Sequence, residues 1–212
     1  WMTAFRRPFS NFALQRAVEQ AFRLQKPLLI LEALRAGYPY ASDRLHTFVL
    51  QGMADNAAHF RQTAARYYPY VEPRPGAAKG LLETLAQPAC LVVADDHPGF
   101  FYPRMLEVAG ARIKVCVEAV DSNGLLPLAA AGQAYPTAYA FRRFLQRELP
   151  GHLCSFPAAD PLKNVQLGEL PVLPRQLAER WPEASPALLE ADPAALAELP
   201  IDHQVAPTGP AG

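Results

Sequence analysis

Apolar and polar positions alternate along this chain in two distinct rhythms. Short continuous apolar runs, "PLLILEAL" (its centre Leu28–Leu31), "ACLVVA" (Ala89–Ala94) and "IKVCVEAV" (Ile113–Val120), have the pattern of parallel strands covered on both faces. The segments between them repeat at helical spacing. Ser10 or Asn11 is placed to cap a helix carrying Leu14, Ala17, Val18 and Ala21, which Pro27 ends. Ser42 is placed to cap a second helix with Leu45, Val49, Gly52 and Asn56 on one face. A mid-helix glycine costs about 1 kcal/mol against alanine, so Gly52 predicts close packing on a sheet. "RYYPYVEP" (Arg66–Pro73) reads as a strand interrupted by Pro69, and "GAAKGLLETLA" as a helix. Pro103 suits the first turn of a helix that Gly110 closes, and Thr137 starts another. Trp1 and Met2 read as the end of a further strand.

Strands alternating with helices through about five strands predict an α/β fold. The architecture expected is a doubly wound, five-stranded parallel sheet with helices on both faces, over residues 1–150. After Pro150 the prolines multiply, with Pro157, Pro161, Pro171, Pro174, Pro182, Pro186 and Pro193 bracketing short helices such as "PALLEA". Residues 151–212 are therefore expected to be a proline-rich, partly helical linker that ends in "APTGPAG". The chain shows no internal repeat.

Composition narrows the function classes. Half of the 212 residues are hydrophobic, enough for a full core. The 20 basic and 20 acidic residues balance, so no global basic surplus announces a nucleic-acid partner. No run suits a bilayer span, and no secretory signal is visible. The first residue is Trp1 rather than methionine, which points to a piece of a longer protein. Cys90, Cys116 and Cys154 are odd in number and lack a C-x-x-C spacing, which argues against a disulfide framework or a zinc site. Cys90 and Cys116 lie in apolar runs and are expected to be buried thiols. A reducing cytoplasm fits, and a monomer is expected.

Ligands of open α/β sheets bind beyond the carboxyl ends of the strands. Four loops qualify: "TAFRRPF" (Thr3–Phe9), "EALRAGYPY" (Glu32–Tyr40), "DDHPGFF" (Asp95–Phe101) and "DSNGLLP" (Asp121–Pro127). Their arginines, acids and aromatics suit a flat, conjugated, partly anionic ligand. The competing reading is that Tyr38, Tyr40, Phe100 and Phe101 cover the sheet edge or pack on another domain, and residue types alone lean that way. "GAAKGL" (Gly76–Leu81) lacks the spacing and the Ser/Thr of a P-loop, so Lys79 reads as a solvated helix-start lysine. Asp95, Asp96 and His97 could hold a metal or exchange protons, but acids at a strand end more often cap the following helix. No G-x-G-x-x-G, H-E-x-x-H or G-x-S-x-G occurs in a matching context. In "AYPTAYAFRRFLQREL" (Ala134–Leu149), Arg142 and Arg143 stand beside Tyr139, Phe141 and Phe144, as on a surface that packs against another body.

Five segments, "NFALQRAVEQA", "KPLLILEALRAGYPYASDRLHTFVLQGMADN", "YYPYVEP", "VDSNGLLPL" and "AYPTAYAFRRFLQ", come in the order found in one family. Together they resemble the N-terminal domain of class II cyclobutane pyrimidine dimer (deoxyribodipyrimidine) photolyases, over about residues 1–160. "LPIDHQVAP" (Leu199–Pro207) resembles that family's linker to its second domain. The resemblance implies a Rossmann-like domain followed by a helical domain, absent here, that binds FAD and UV-damaged DNA. Excited reduced FAD would pass an electron to the dimer and split it. The fragment alone is not expected to repair DNA.

Many members hold an antenna chromophore, often 8-hydroxy-5-deazaflavin, at the strand ends of the N-terminal domain. By loop position, Arg6 is the expected charge partner, with Leu34 and Tyr38 as packing. Asp95, Asp96, Phe101 and Arg104 would supply polar and stacking contacts. The alternatives are a cryptochrome-like blue-light photoreceptor without repair activity, which this half of the architecture does not separate from a repair enzyme, and an unrelated nucleotide-binding α/β protein.

Overall fold

The computed structural model describes residues 1–208; residues 209–212, the end of the expected "APTGPAG" linker, lie outside the described residues. Its elements alternate as α1 (Phe12–Leu24), β1 (Leu29–Leu34), α2 (Asp43–Phe60), β2 (Arg66–Val71), α3 (Leu81–Ala86), β3 (Leu91–Asp96), α4 (Tyr102–Arg112) and β4 (Cys116–Asp121). A 3-10 turn (Leu128–Ala131), α5 (Ala138–His152), α6 (Arg175–Arg180), α7 (Pro186–Leu189) and α8 (Pro193–Ala197) follow.

The class is α/β, but a five-stranded sheet is not formed among the described residues. The four strands make two parallel pairs, β1 with β2 and β3 with β4. Trp1–Thr3 lies between the pairs. The Met2 amide donates to the Leu31 carbonyl at 2.9 Å, and the Trp1 amine donates to the Val93 carbonyl at 2.7 Å. Met2 alone makes a bridge, with Glu32, and so short a segment cannot sustain a ladder, so the pairs stay separate. Pro69, which cannot donate to a ladder, sits on β2, where only one side is paired and its carbonyl accepts from Ala184.

Helices cover both faces. Leu14 and Val18 of α1 and Phe60 of α2 pack with Met2, Ile30 and Tyr67 on one face. Leu81 of α3 packs with Leu31, Tyr68 and Tyr70 on the other, where Ala109 of α4 and Ile113 just after it meet Val92. Local signals explain the helix ends. The Asn11 carbonyl oxygen accepts from the Leu14 amide, and Thr137 caps α5 by accepting from Ala140.

Several expectations need correction. The buried stripe of α2 is His46, Leu50, Met53, Asn56 and Phe60, one position on from the predicted Leu45 and Val49, and Leu45 is exposed. A Cβ on Gly52 would meet nothing within 4 Å, so close packing does not account for that glycine. Ser42 makes no side-chain cap; carbonyls from the chain's last turn-rich stretch do that work instead. Helix α4 runs through Gly110 to Arg112, because Gly110 keeps helical geometry and Ile113 is the first extended residue. Cys90 and Cys116 are exposed, as is Cys154. Cys90 stands just before β3, and Cys116 opens β4, a strand with no buried residue.

The proline-rich stretch after Pro150 does not hang free. Pro150 itself lies within α5. Leu162 enters the core beside α1, while Leu177 and Trp181 seal the face carrying Tyr68 and Tyr70. Leu196 and Leu199 cover Leu34, Leu50 and Met53. Tyr68 donates its phenol to the Trp181 carbonyl, and the Trp181 indole donates to the Ala77 carbonyl at 2.9 Å. Prolines here shape short extended and helical pieces that still bury their apolar side chains.

Candidate functional site

All strands run the same way, so the turns following Thr3, Leu34, Val71, Asp96 and Asp121 share one edge. Three buried carboxylates organise it, two of them bonded to the loop after Thr3 and one to the loops after β1 and β2. Asp95 is 1% exposed, and its Oδ2 accepts from the amides of Thr3, Ala4 and Phe5 at 2.7, 2.8 and 3.1 Å. Glu72 accepts from the Ala36 and Ala78 amides at 3.0 and 3.1 Å. Glu32 accepts from Arg6 at 3.2 Å, Asn56 at 2.8 Å and the Tyr67 phenol at 2.6 Å. Each carboxylate is thereby compensated for leaving water. Burial first, and then the neighbouring Glu32 charge, pushes the Tyr67 phenol far above its ordinary pKa, so it stays a donor.

The loop after Thr3 is knit from both sides. Arg6 donates to the Thr3 and Ala33 carbonyls as well as to Glu32. Asn11 donates to the Phe5 and Arg7 carbonyls, and Asn56 to the Arg6 carbonyl. The Arg7 guanidinium lies 5.5 Å over the Phe5 ring. Phe5, His97 and Tyr102 form an aromatic chain, with centroids 6.1 and 5.0 Å apart, and Phe101 stacks on Tyr102 at 4.6 Å. This chain bridges the loop after Thr3 and the loop after β3. The tips of two edge loops carry aromatics at positive φ: Tyr40 at 69° and Phe100 at 57°. Bulky residues rarely adopt that conformation. The two residues are 88% and 95% exposed, so the strain presents them to solvent rather than to the core.

The predicted site residues divide accordingly. Arg6 is a fixed cation with 27% of its side chain exposed. Tyr38 is half-buried, stacked on His46 at 5.7 Å, and close enough to Arg6 for that cation to oppose the burial-driven rise of its phenol. Asp96, Phe101 and Arg104 are exposed at the β3 end. Leu34 is enclosed by Leu50, Met53, Val71, Leu196 and Leu199, and Asp95 is enclosed by the amides it binds. Neither presents surface to a ligand. Asp95 ties down the loop after Thr3 rather than the helix that follows it, for which Phe101 is the N-cap. Glu32, Asn56, Tyr67, His97 and Tyr102 belong to this edge too. The acid in "LILEAL", set among apolar residues inside a strand, was the signal for Glu32.

Over 150 residues the chain is 26% identical to the deoxyribodipyrimidine photo-lyase of Methanothermobacter thermautotrophicus. That similarity supports relatedness to the photolyase family. The matched stretch covers 70% of this chain and 33% of the relative, so the chain spans about a third of that protein's length. No family model matches the chain. Among the described residues, no helix is long and apolar enough to cross a membrane.

Proposed function

We propose that this chain is the N-terminal α/β portion of a class II photolyase, and that it serves as an antenna platform and scaffold for light-driven repair of cyclobutane pyrimidine dimers. The observation that carries the reading is the 26% identity to a deoxyribodipyrimidine photo-lyase over most of the chain. In this reading the repair chemistry belongs to a helical domain that holds FAD and UV-damaged DNA, and the two parallel strand pairs are the two halves of one doubly wound sheet.

The antenna, an 8-hydroxy-5-deazaflavin in this reading, would bind at the strand-end edge. A conjugated anionic ring system needs a flat apolar surface and a fixed cation. The exposed Phe101 ring, backed by Tyr102, would supply the first, and Arg6 with Arg104 the second. Tyr38 and Asp96 complete the rim. Leu34 and Asp95 act beneath it, by supporting the loops.

The test uses the full-length parent. Illuminated with dimer-bearing DNA, it restores intact thymines, and its absorption spectrum shows a band beyond that of FAD. Replacing Phe101 and Arg104 by alanine removes the extra band and leaves FAD-driven repair under direct excitation. Light-independent or absent repair would refute the repair reading; a parent with repair but no second band would refute the antenna role alone.

A further inference from the structure

The last described stretch of the chain is bonded to the start of α2 by backbone and side chain together. Asp202 and Ser42 form a parallel bridge, with the Asp202 amide donating to the Ala41 carbonyl at 2.9 Å. The Asp43 and Arg44 amides, which open α2 and have no partner within it, donate to the Asp202 and Val205 carbonyls at 3.1 Å each. The Arg44 guanidinium adds a bond to the Ala206 carbonyl at 3.0 Å. Residues 199–206 thus replace the side-chain cap that Ser42 does not provide.

One side chain closes this arrangement. The two ring nitrogens of His203 face two acceptors: Nδ1 lies 2.8 Å from the Asp43 carboxylate, and Nε2 lies 3.0 Å from the Leu199 carbonyl. A neutral imidazole has one N–H and satisfies only one of them; an imidazolium donates to both. The charged groups acting on the ring are Asp43 from α2 and Asp202 from the strap, both negative. Arg44, the nearby cation, is turned to the Ala206 carbonyl.

We propose that residues 199–206 are a proton-gated strap, clasped to the start of α2 while His203 is an imidazolium and loosened when the ring becomes neutral. Loosening also frees the Ala41 carbonyl and the Ser42 bridge, which end the loop bearing Tyr38 and Tyr40. The strap therefore couples proton concentration to the order of one wall of the strand-end edge. The hydrogen bond to Asp43 first, and its charge next, raise the affinity of His203 for its proton, against a small opposing loss of hydration. The contribution is present below the ordinary histidine value of 6.5 and is lost as pH climbs through the raised value.

The test is amide hydrogen exchange on the whole chain, corrected for intrinsic rates, together with an NMR titration of the His203 ring. Protection of the Asp43, Arg44 and Asp202 amides falls by roughly two- to fivefold between about pH 5.5 and about pH 8.5, the scale of an exposed ion pair, while the core amide of Ala94 is unchanged. His203→Gln shows the low protection at both pH values. Asp43→Asn, which keeps an acceptor without charge, brings the ring's midpoint back toward 6.5. Wild-type protection that ignores pH, a His203→Gln chain that keeps the full response, or a His203 midpoint at or below 6.5 would each overturn the proposal. If His203→Gln fails to fold, the wild-type titration and Asp43→Asn still decide it.

Discussion

Tyr67 donates its phenol to the carboxylate of Glu32 at 2.6 Å, linking the side chains of two adjacent strands beneath the strand-end edge. Glu32 also receives Arg6 and Asn56, so one buried anion gathers the loop after Thr3, α2, β1 and β2. Tyr67→Phe removes a hydrogen bond to a charged group and is expected to cost about 1.5–3 kcal/mol. Glu32→Gln leaves Arg6 without its counter-charge and is expected to cost near the lower end of about 3–5 kcal/mol, because Arg6 retains some access to water. Urea unfolding of the two variants reads both losses, and a neutral outcome for Glu32→Gln would show that the anion does not organise the edge.

The two glycines Gly52 and Gly80 predict opposite responses to the same substitution. Gly52 sits inside α2 with open space where a Cβ would go, so Gly52→Ala is expected to raise stability by about 0.5–1 kcal/mol. Gly80 has φ +90° and precedes α3, with the Trp181 ring 3.4 Å from the added carbon. Gly80→Ala is expected to lose about 1–3 kcal/mol through backbone strain. Thermal unfolding of the pair separates the two signs within one experiment.

Trp181 is 3% exposed and closes the face carrying Tyr68 and Tyr70. Its replacement by alanine opens a cavity and strands the Ala77 carbonyl, with an expected loss of about 3–5 kcal/mol. Denaturant unfolding followed by circular dichroism measures it. A loss below 1 kcal/mol, far under that range, would show that the stretch after Pro150 is not part of the domain's core.

His46 titrates in the opposite sense to His203. Its ring is fully buried, and burial lowers its affinity for a proton, outweighing the opposing help from the Ser42 backbone and Asp43. The unfolded chain therefore binds this proton more readily, and the stability tied to a neutral His46 is present above 6.5 and lost as pH falls below that value. His46→Phe keeps a ring against Tyr38 and removes the titration. The stability difference between wild type and this variant is expected to shift in favour of the variant as pH drops, a trend visible in unfolding midpoints collected across the acid range.

The elements that were legible in the sequence are those with strong local signals. Asn11 and Thr137 announced two helix starts, and the apolar runs through Ile30, Val92 and Val117 announced three strands. What was not legible depends on partners distant in the chain. The stripe on α2 is displaced because Leu196 and Leu199 return to cover Leu50 and Met53, leaving Leu45 outside. Ser42 loses its capping role to carbonyls 160 and more residues further on, at Asp202 and Val205. Leu34 and Asp95 sit at strand ends, as a ligand-lining residue would, but α2 and the α8 region cover the first and the loop after Thr3 folds over the second. Phe101 and Arg104 are exposed, since a helix start after a strand end leaves such residues uncovered.

The return of Leu162, Trp181 and Leu199 to both faces of the strands has a consequence for how this chain is made. A ribosome delivers β1 to β4 well before those side chains emerge, so the greasy flanks of the nascent sheet wait unroofed. Contacts that span so much sequence form late and slowly. The final quarter of the chain thus acts as a keystone, and premature termination anywhere before Leu199 leaves a sticky, half-vaulted product that invites chaperone capture.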